Sequence, residues 1–179
     1  MLKVVSSVLF SLFISACTST TKKPGATGAM HTEAALFIPP GVDSTYPFSE
    51  AYSQYSITGY YNNDDIIDTA FLLRLKRTNT KAALYIKHGG INQNVLFRDG
   101  KALGQDFANF HWVGQFDRIE KGTIIWENVV NGEIVSEDQV PASKKVRLTT
   151  DAIFLHEDEG GGGGIVYFTN GRYTWMQQD

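Results

Sequence analysis

The side chains able to do chemistry are few and unevenly placed in this 179-residue chain. Acids gather in two places. Asp64, Asp65 and Asp68 follow Tyr60-Tyr61-Asn62-Asn63, and Glu157, Asp158 and Glu159 follow His156. Either group could offer carboxylates for acid–base work, and a carboxylate beside His156 could orient its ring. His31, His88, His111 and His156 show no His-Glu-x-x-His or comparable spacing, so zinc would need convergence in space. Gly160 to Gly164 is not a phosphate loop. It lacks the Gly-Lys-Ser/Thr ending, and the acids before it repel phosphate. The run reads as a flexible loop joining two strands, with a mobile binding lid as the alternative. No Gly-x-Ser-x-Gly elbow occurs, and Cys17 is the single thiol. These residues carry no catalytic signature, and the expectation is a protein that is not an enzyme.

The first acidic group has the more specific context. Residues 59–70 run Gly-Tyr-Tyr-Asn-Asn-Asp-Asp-Ile-Ile-Asp-Thr-Ala and lead into Phe71-Leu72-Leu73. This resembles the FG-GAP (integrin-type) repeat loop, where Gly-Asp-x-Asn-x-Asp-Gly-x-x-Asp precedes an apolar strand and surrounds calcium. The resemblance implies Asn62, Asp64 and Asp68 as the third, fifth and ninth ligand positions. Tyr60 stands at the first position in place of a carboxylate, and Asp65 replaces the turn glycine. The loop has two readings: a solvated turn with Asp68 at the strand entry, or a weak calcium site. A single copy is present, which disfavours a propeller. The chain is also similar to a group of small exported bacterial proteins of unassigned function, with one such loop. They end in a segment like Thr150-Asp151-Ala152-Ile153-Phe154-Leu155-His156-Glu157 and a hairpin like Val166 to Trp175.

Cys17 carries a different chemistry. Lys3, an apolar stretch from Val4 to Ile14, and the small residues Ser15 and Ala16 lead into it. The stretch is of signal length and too short to span a bilayer as a helix. Ile14-Ser15-Ala16-Cys17 resembles the bacterial lipobox, in which the Cys is diacylated on sulfur and becomes the new N-terminus. The expected division is a signal peptide over 1–16, a lipidated Cys and tether over 17–35, and one domain over 36–179. Two or more acyl chains anchor durably, at about 0.8 kcal/mol per buried CH₂. Thr18 rather than Asp after the Cys resembles export to the outer membrane, facing the periplasm.

Composition narrows the partners. The formal net charge is −3 and no basic stripe appears, so nucleic acid is excluded as an expected partner. With the lone Cys acylated, no intramolecular disulfide can form, and stability must come from packing. Aromatic residues, 12% of the chain, can supply that packing.

The elements that must position these groups read as strands. Asp99-Gly100, Asn131-Gly132 and Asn170-Gly171 lie between apolar or aromatic runs and predict two-residue hairpin turns. Thr69 to Lys76, Lys81 to Lys87, Phe110 to Ile119 and Val146 to Phe154 also read as strands, and residues 49–57 as a short helix or a strand. Trp112, Trp126 and Trp175 lie in strand-like runs and read as core or sheet-face residues rather than sugar platforms. The expected fold is all-β: a mostly antiparallel, hairpin-rich single domain after an N-terminal signal helix. The expected function is a lipid-anchored cell-envelope protein, not an enzyme, binding an unidentified protein or envelope component. The alternatives are a calcium-stabilised carbohydrate or adhesion module and a carboxylate-dependent envelope hydrolase. No cofactor is expected beyond weak calcium.

Overall fold

The computed structural model describes residues 56–74, 82–90, 94–130, 132–159 and 162–179. Cys17, the signal and tether regions, His31 and residues 36–55 lie outside the described residues. Every described residue belongs to one compact unit, Glu33–Asp179.

The fold is all-β, as the alternation of apolar and polar residues requires. Strands β1 (Ser56–Gly59), β2 (Asp68–Arg74), β3 (Ala82–Lys87) and β4 (Val95–Phe97) form an antiparallel meander in the order β1-β2-β3-β4. A second antiparallel sheet runs β12-β11-β10-β5. It contains β5 (Gln115–Ile119), β10 (Ala152–His156), β11 (Gly163–Thr169) and β12 (Arg172–Gln178). Two ribbons complete the set. β6 (Ile124–Trp126) pairs with β9 (Lys145–Arg147), and β7 (Val129–Val130) with β8 (Glu133–Ile134). The only helical pieces among the described residues are three short 3₁₀ turns, at Lys101–Leu103, Glu137–Gln139 and Ala142–Lys144.

The largest apolar cluster draws on both sheets: Ala70, Leu72, Leu84 and Ile86 from the first, Phe116, Ile153, Leu155 and Val166 from the second. The two inner faces therefore pack on each other as a sandwich. The outer face of the second sheet is covered too, because Ile125 of β6 and Leu148, just after β9, pack with Ala152 and Ile165.

Asn170-Gly171 forms the expected hairpin turn. Both residues have positive φ, 50° and 77°, and the register closes at Thr169↔Arg172. Gly132, at φ 81°, sits in the β7–β8 turn; Asn131 lies outside the described residues. The third turn differs from expectation. Gly100 has φ −76°, and Ala102-Leu103 belong to a 3₁₀ turn rather than a returning strand. Asp99 Oδ1 accepts the Lys101 N–H at 3.0 Å, which starts that turn. A Cβ on Gly100 would lie 2.7 Å from Gln105 Cβ, so close packing, not a positive φ, explains this glycine. The run Phe110 to Ile119 becomes strand only from Gln115. Phe110 and Val113 instead plug the core from a turn, joined by a 3.2 Å Val113 N–H···Phe110 carbonyl bond.

The far end of β12 is tied across to the segment after β6. Asn128 Nδ2 donates to the Asp179 carbonyl at 3.0 Å, and the Asp179 N–H donates to Asn128 Oδ1 at 2.9 Å.

Candidate functional site

The loop joining β1 to β2 carries the acidic residues, and sheet register places what surrounds it. β1 ends at Gly59 opposite Asp68, and Thr69 pairs with Lys87. One step further along the same antiparallel pair, Asp68 faces His88. Asp68 is fully buried. Its Oδ2 accepts the Tyr61 N–H at 2.9 Å, its Oδ1 accepts the Gly89 N–H at 2.9 Å, and His88 Nδ1 lies 3.2 Å from Oδ1. A carboxylate can stay buried only with such a set of donors.

His88 Nδ1 also lies 3.1 Å from Asn62 Nδ2, and the two contacts ask for opposite tautomers. Asn62 Nδ2 already donates to Asp64 Oδ2 at 2.9 Å. A hydrogen on Nδ1 directed at Asp68 therefore satisfies more of the network, and we assign that tautomer from the hydrogen bonds. Nε2 then offers its lone pair toward the Tyr173 hydroxyl, 3.5 Å away, at the outer limit of a hydrogen bond. The two rings stack at 13°, and Phe97 and Phe168 meet the Tyr173 ring edge-on. Burial, reinforced by the nearby Asp68 charge, pushes the Tyr173 phenol well above the usual tyrosine range. The phenol thus stays neutral and acts as a donor.

A second buried carboxylate clamps the same loop from the other sheet. Asp151 Oδ2 accepts the Tyr60 N–H at 3.0 Å, its Oδ1 accepts the Lys121 N–H at 2.8 Å, and its own N–H donates to the Tyr60 carbonyl at 2.9 Å. Arg118 Nη1 lies 3.6 Å from Oδ2. Gly59 leaves room for this clamp, since a Cβ there would lie 2.9 Å from both Asp151 Oδ2 and the Tyr61 ring. Tyr61 is buried between the two aspartates. Burial first, then the Asp151 charge, raises its phenol far above the usual range.

The structure brings Asn62, Asp64 and Asp68 together in one loop, tied by its own hydrogen bonds. Asn62 Oδ1 accepts from Asp64 N, Asp64 Oδ1 from Ile66 N and Asp64 Oδ2 from Asn62 Nδ2, while both Asp68 oxygens hold the donors described above. All the side-chain oxygens that the FG-GAP likeness would assign to calcium are engaged within the fold. These bonds make the loop a self-tied turn that holds its shape without an ion. Asp65, at the turn-glycine position, has φ 55° and so keeps the left-handed backbone that the loop needs. A short polar side chain tolerates that conformation better than most.

His156 is positioned differently from expectation. Its Nδ1 lies 2.7 Å from the Glu157 backbone carbonyl, not from a carboxylate, and its ring stacks on Phe154. His111 Nδ1 lies 3.3 Å from Arg74 Nη1. Sequence reasoning named His88 among the histidines, and Asp151 and Tyr173 within the family-like segments, but did not join them to the loop. Their link is sheet register and sheet packing, which connect positions 68, 88, 151 and 173 without any shared local pattern.

Above the Asp68–His88 pair lies a cavity of about 500 Å³. Asn62 and His88 meet Phe168, Arg172 and Tyr173 of the β11–β12 hairpin there, with Asn94 and Phe97 alongside. The volume falls within the roughly 300–1,000 Å³ usual for small-ligand sites. No serine, threonine or carboxylate side chain is among its described lining residues.

In comparisons with known proteins, no family model, no curated protein and no solved structure matches this chain. The FG-GAP and lipobox likenesses rest on the quoted residues alone.

Proposed function

We propose that the protein is a lipid-anchored component of the cell envelope, held by acylated Cys17, that binds a protein or other envelope component without transforming it. The outer membrane, periplasmic face, is the proposed location, and nucleic acid is not a proposed partner. One observation carries the binding reading. A cavity of ligand size is lined by donor side chains and aromatic rings, while the carboxylate beneath it is fully engaged. Asp68 orients His88 and does not reach the cavity surface. A carboxylate-dependent hydrolase would need an accessible acid and base, and Asp68 offers neither role. A calcium-stabilised module would draw on oxygens already holding the turn together.

The test uses the full-length protein in intact cells. A photo-reactive side chain replaces Ala102, which lines the cavity, or Ser143, which is exposed in the Ala142–Lys144 turn. The expected result is a discrete adduct from position 102, none from 143, and loss of the adduct on adding Arg172→Ala. Equal adducts from both positions, or an adduct indifferent to Arg172, would reject the cavity as the binding seat.

A further inference from the structure

A second, shallower groove lies along the other part of β12, away from the Asp loop. It measures about 290 Å³ and is lined by Phe107, Trp112, Glu157, Gly163, Trp175 and Gln177, among others. The aromatic rings come from separate parts of the chain. Phe107 and Trp112 lie in the connection before β5, and Trp175 is on β12. They pack as one cluster: Phe107–Trp112 centroids at 5.6 Å, Phe107–Trp175 at 5.5 Å and Trp112–Trp175 at 6.2 Å, inclined at 75°, 56° and 84°.

The backbone is shaped around this cluster. A Cβ at Gly164 would lie 2.1 Å from the Trp175 ring, so the indole rests directly over that glycine. Trp175 Nε1 donates to Gln177 Oε1 at 3.1 Å, which fixes the ring's orientation. Trp112 Nε1 is buried and has no hydrogen-bond partner among the described residues. That buried, unpaired N–H lies beneath the accessible surface, so it is the rings and the polar side chains at the groove that a ligand meets.

We propose that this groove binds a neutral glycan, with a pyranose ring lying on the aromatic cluster and its hydroxyls meeting Glu157 and Gln177. The class follows from the mixture of groups. A pyranose presents an apolar C–H face to an aromatic surface and a rim of hydroxyls that both donate and accept. Glu157 accepts. Gln177, whose Oε1 takes the Trp175 N–H and whose Nε2 donates to the Gln178 carbonyl at 3.1 Å, keeps one further lone pair and one further N–H for a hydroxyl. Anionic sugars are disfavoured by charge. Glu157, Asp158 and Glu159 follow β10, and a Cβ at Gly162 would lie 3.1 Å from Asp179 Oδ1. A cation enclosed between the rings is disfavoured by space, because the rings already touch one another. This reading is independent of the cavity above His88.

Detergent-solubilised full-length protein is titrated with a β-1,4-linked N-acetylglucosamine tetramer, a neutral probe, while tryptophan fluorescence is followed. Saturable change is expected with Kd between about 0.1 and 1 mM. Glu157→Gln and Gln177→Ala sit on exposed residues and spare the core. Each should weaken binding by about threefold to tenfold, a hydrogen bond's worth. Trp175→Phe should weaken it further, and Ser143→Ala, in the exposed Ala142–Lys144 turn, should leave it unchanged. The proposal is overturned by no saturable change up to about 10 mM. It is equally overturned by a Glu157→Gln/Gln177→Ala protein that binds like wild type, or by saturation with choline but not with the tetrasaccharide.

Discussion

The β1–β2 loop separates what a residue contributes by its chemistry from what it contributes by its backbone. Asp65 stands where the likeness expects glycine, yet it holds φ 55°. Asp65→Gly should therefore be close to neutral. Asp65→Val should cost about 1–2 kcal/mol in urea unfolding, because a β-branched residue resists the left-handed region. If both substitutions are equally harmful, the Asp65 carboxylate matters more than the backbone. Calcium gives the complementary measurement. With the candidate oxygens engaged internally, 1 mM-scale Ca²⁺ should add no more than about 0.4 kcal/mol, the value for Kd near 1 mM. The melting temperature in calcium and in chelator should then differ by no more than about 1–2 °C. A larger shift, abolished by Asp64→Asn, would restore the metal reading. Asn62, Asp64 and Asp68 were legible from their spacing. Their partners were not, because His88 and Asp151 reach the loop through register and through contact between sheets.

At the scale of elements, two similar dipeptide signals led to different structures. Asn170-Gly171 and Asp99-Gly100 look alike in sequence, but only the first has strand-forming residues on both sides. After Gly100 comes Lys101-Ala102-Leu103, whose first N–H is captured by Asp99, and a 3₁₀ turn wins. Gly171→Val should destabilise the domain by about 1–2 kcal/mol, since its φ of 77° suits glycine. Adding Asn170→Gly to that variant should not rescue it. If Gly171→Val melts like wild type, the hairpin does not use the type I′ turn. The run from Phe110 was misleading for another reason. An apolar stretch that plugs the end of a core has the same composition as a buried strand, and only the packing of Phe110 and Val113 separates the two. Trp112 shares that fate: it sits in a turn, and its packing partner Trp175 is distant in sequence.

For the whole molecule, the all-β antiparallel character was readable from alternation and turn residues, while its division into two packed sheets was not, and far-UV circular dichroism should show little helix. The anchor is a matter of sequence alone. Intact mass of the detergent-extracted protein should show residues 1–16 absent and a diacylglyceryl adduct on Cys17, and Cys17→Ser should release the protein to the soluble fraction. A wild-type protein that is soluble and unlipidated would remove the envelope assignment.

The tie between Asn128 and Asp179 has a consequence for crowding. Among the described residues β12 is the outermost strand of its sheet, and the outer edge of such a strand invites another chain to add to it. Asn128 offers one acceptor and one donor to the Asp179 backbone, as a neighbouring strand would, and so occupies the last rung of that edge. Copies confined to a membrane plane, as proposed, meet far more often than copies free in solution. Under that confinement an open edge becomes a nucleus for sheet-to-sheet association. Asn128→Ala should cost only about 1 kcal/mol in the isolated protein. On vesicles at high surface density it should give chemically crosslinked dimers and higher species that wild type does not give, while dilute detergent samples stay monomeric. Equal crosslinking of both proteins on vesicles would show that the capped rung does not guard the edge.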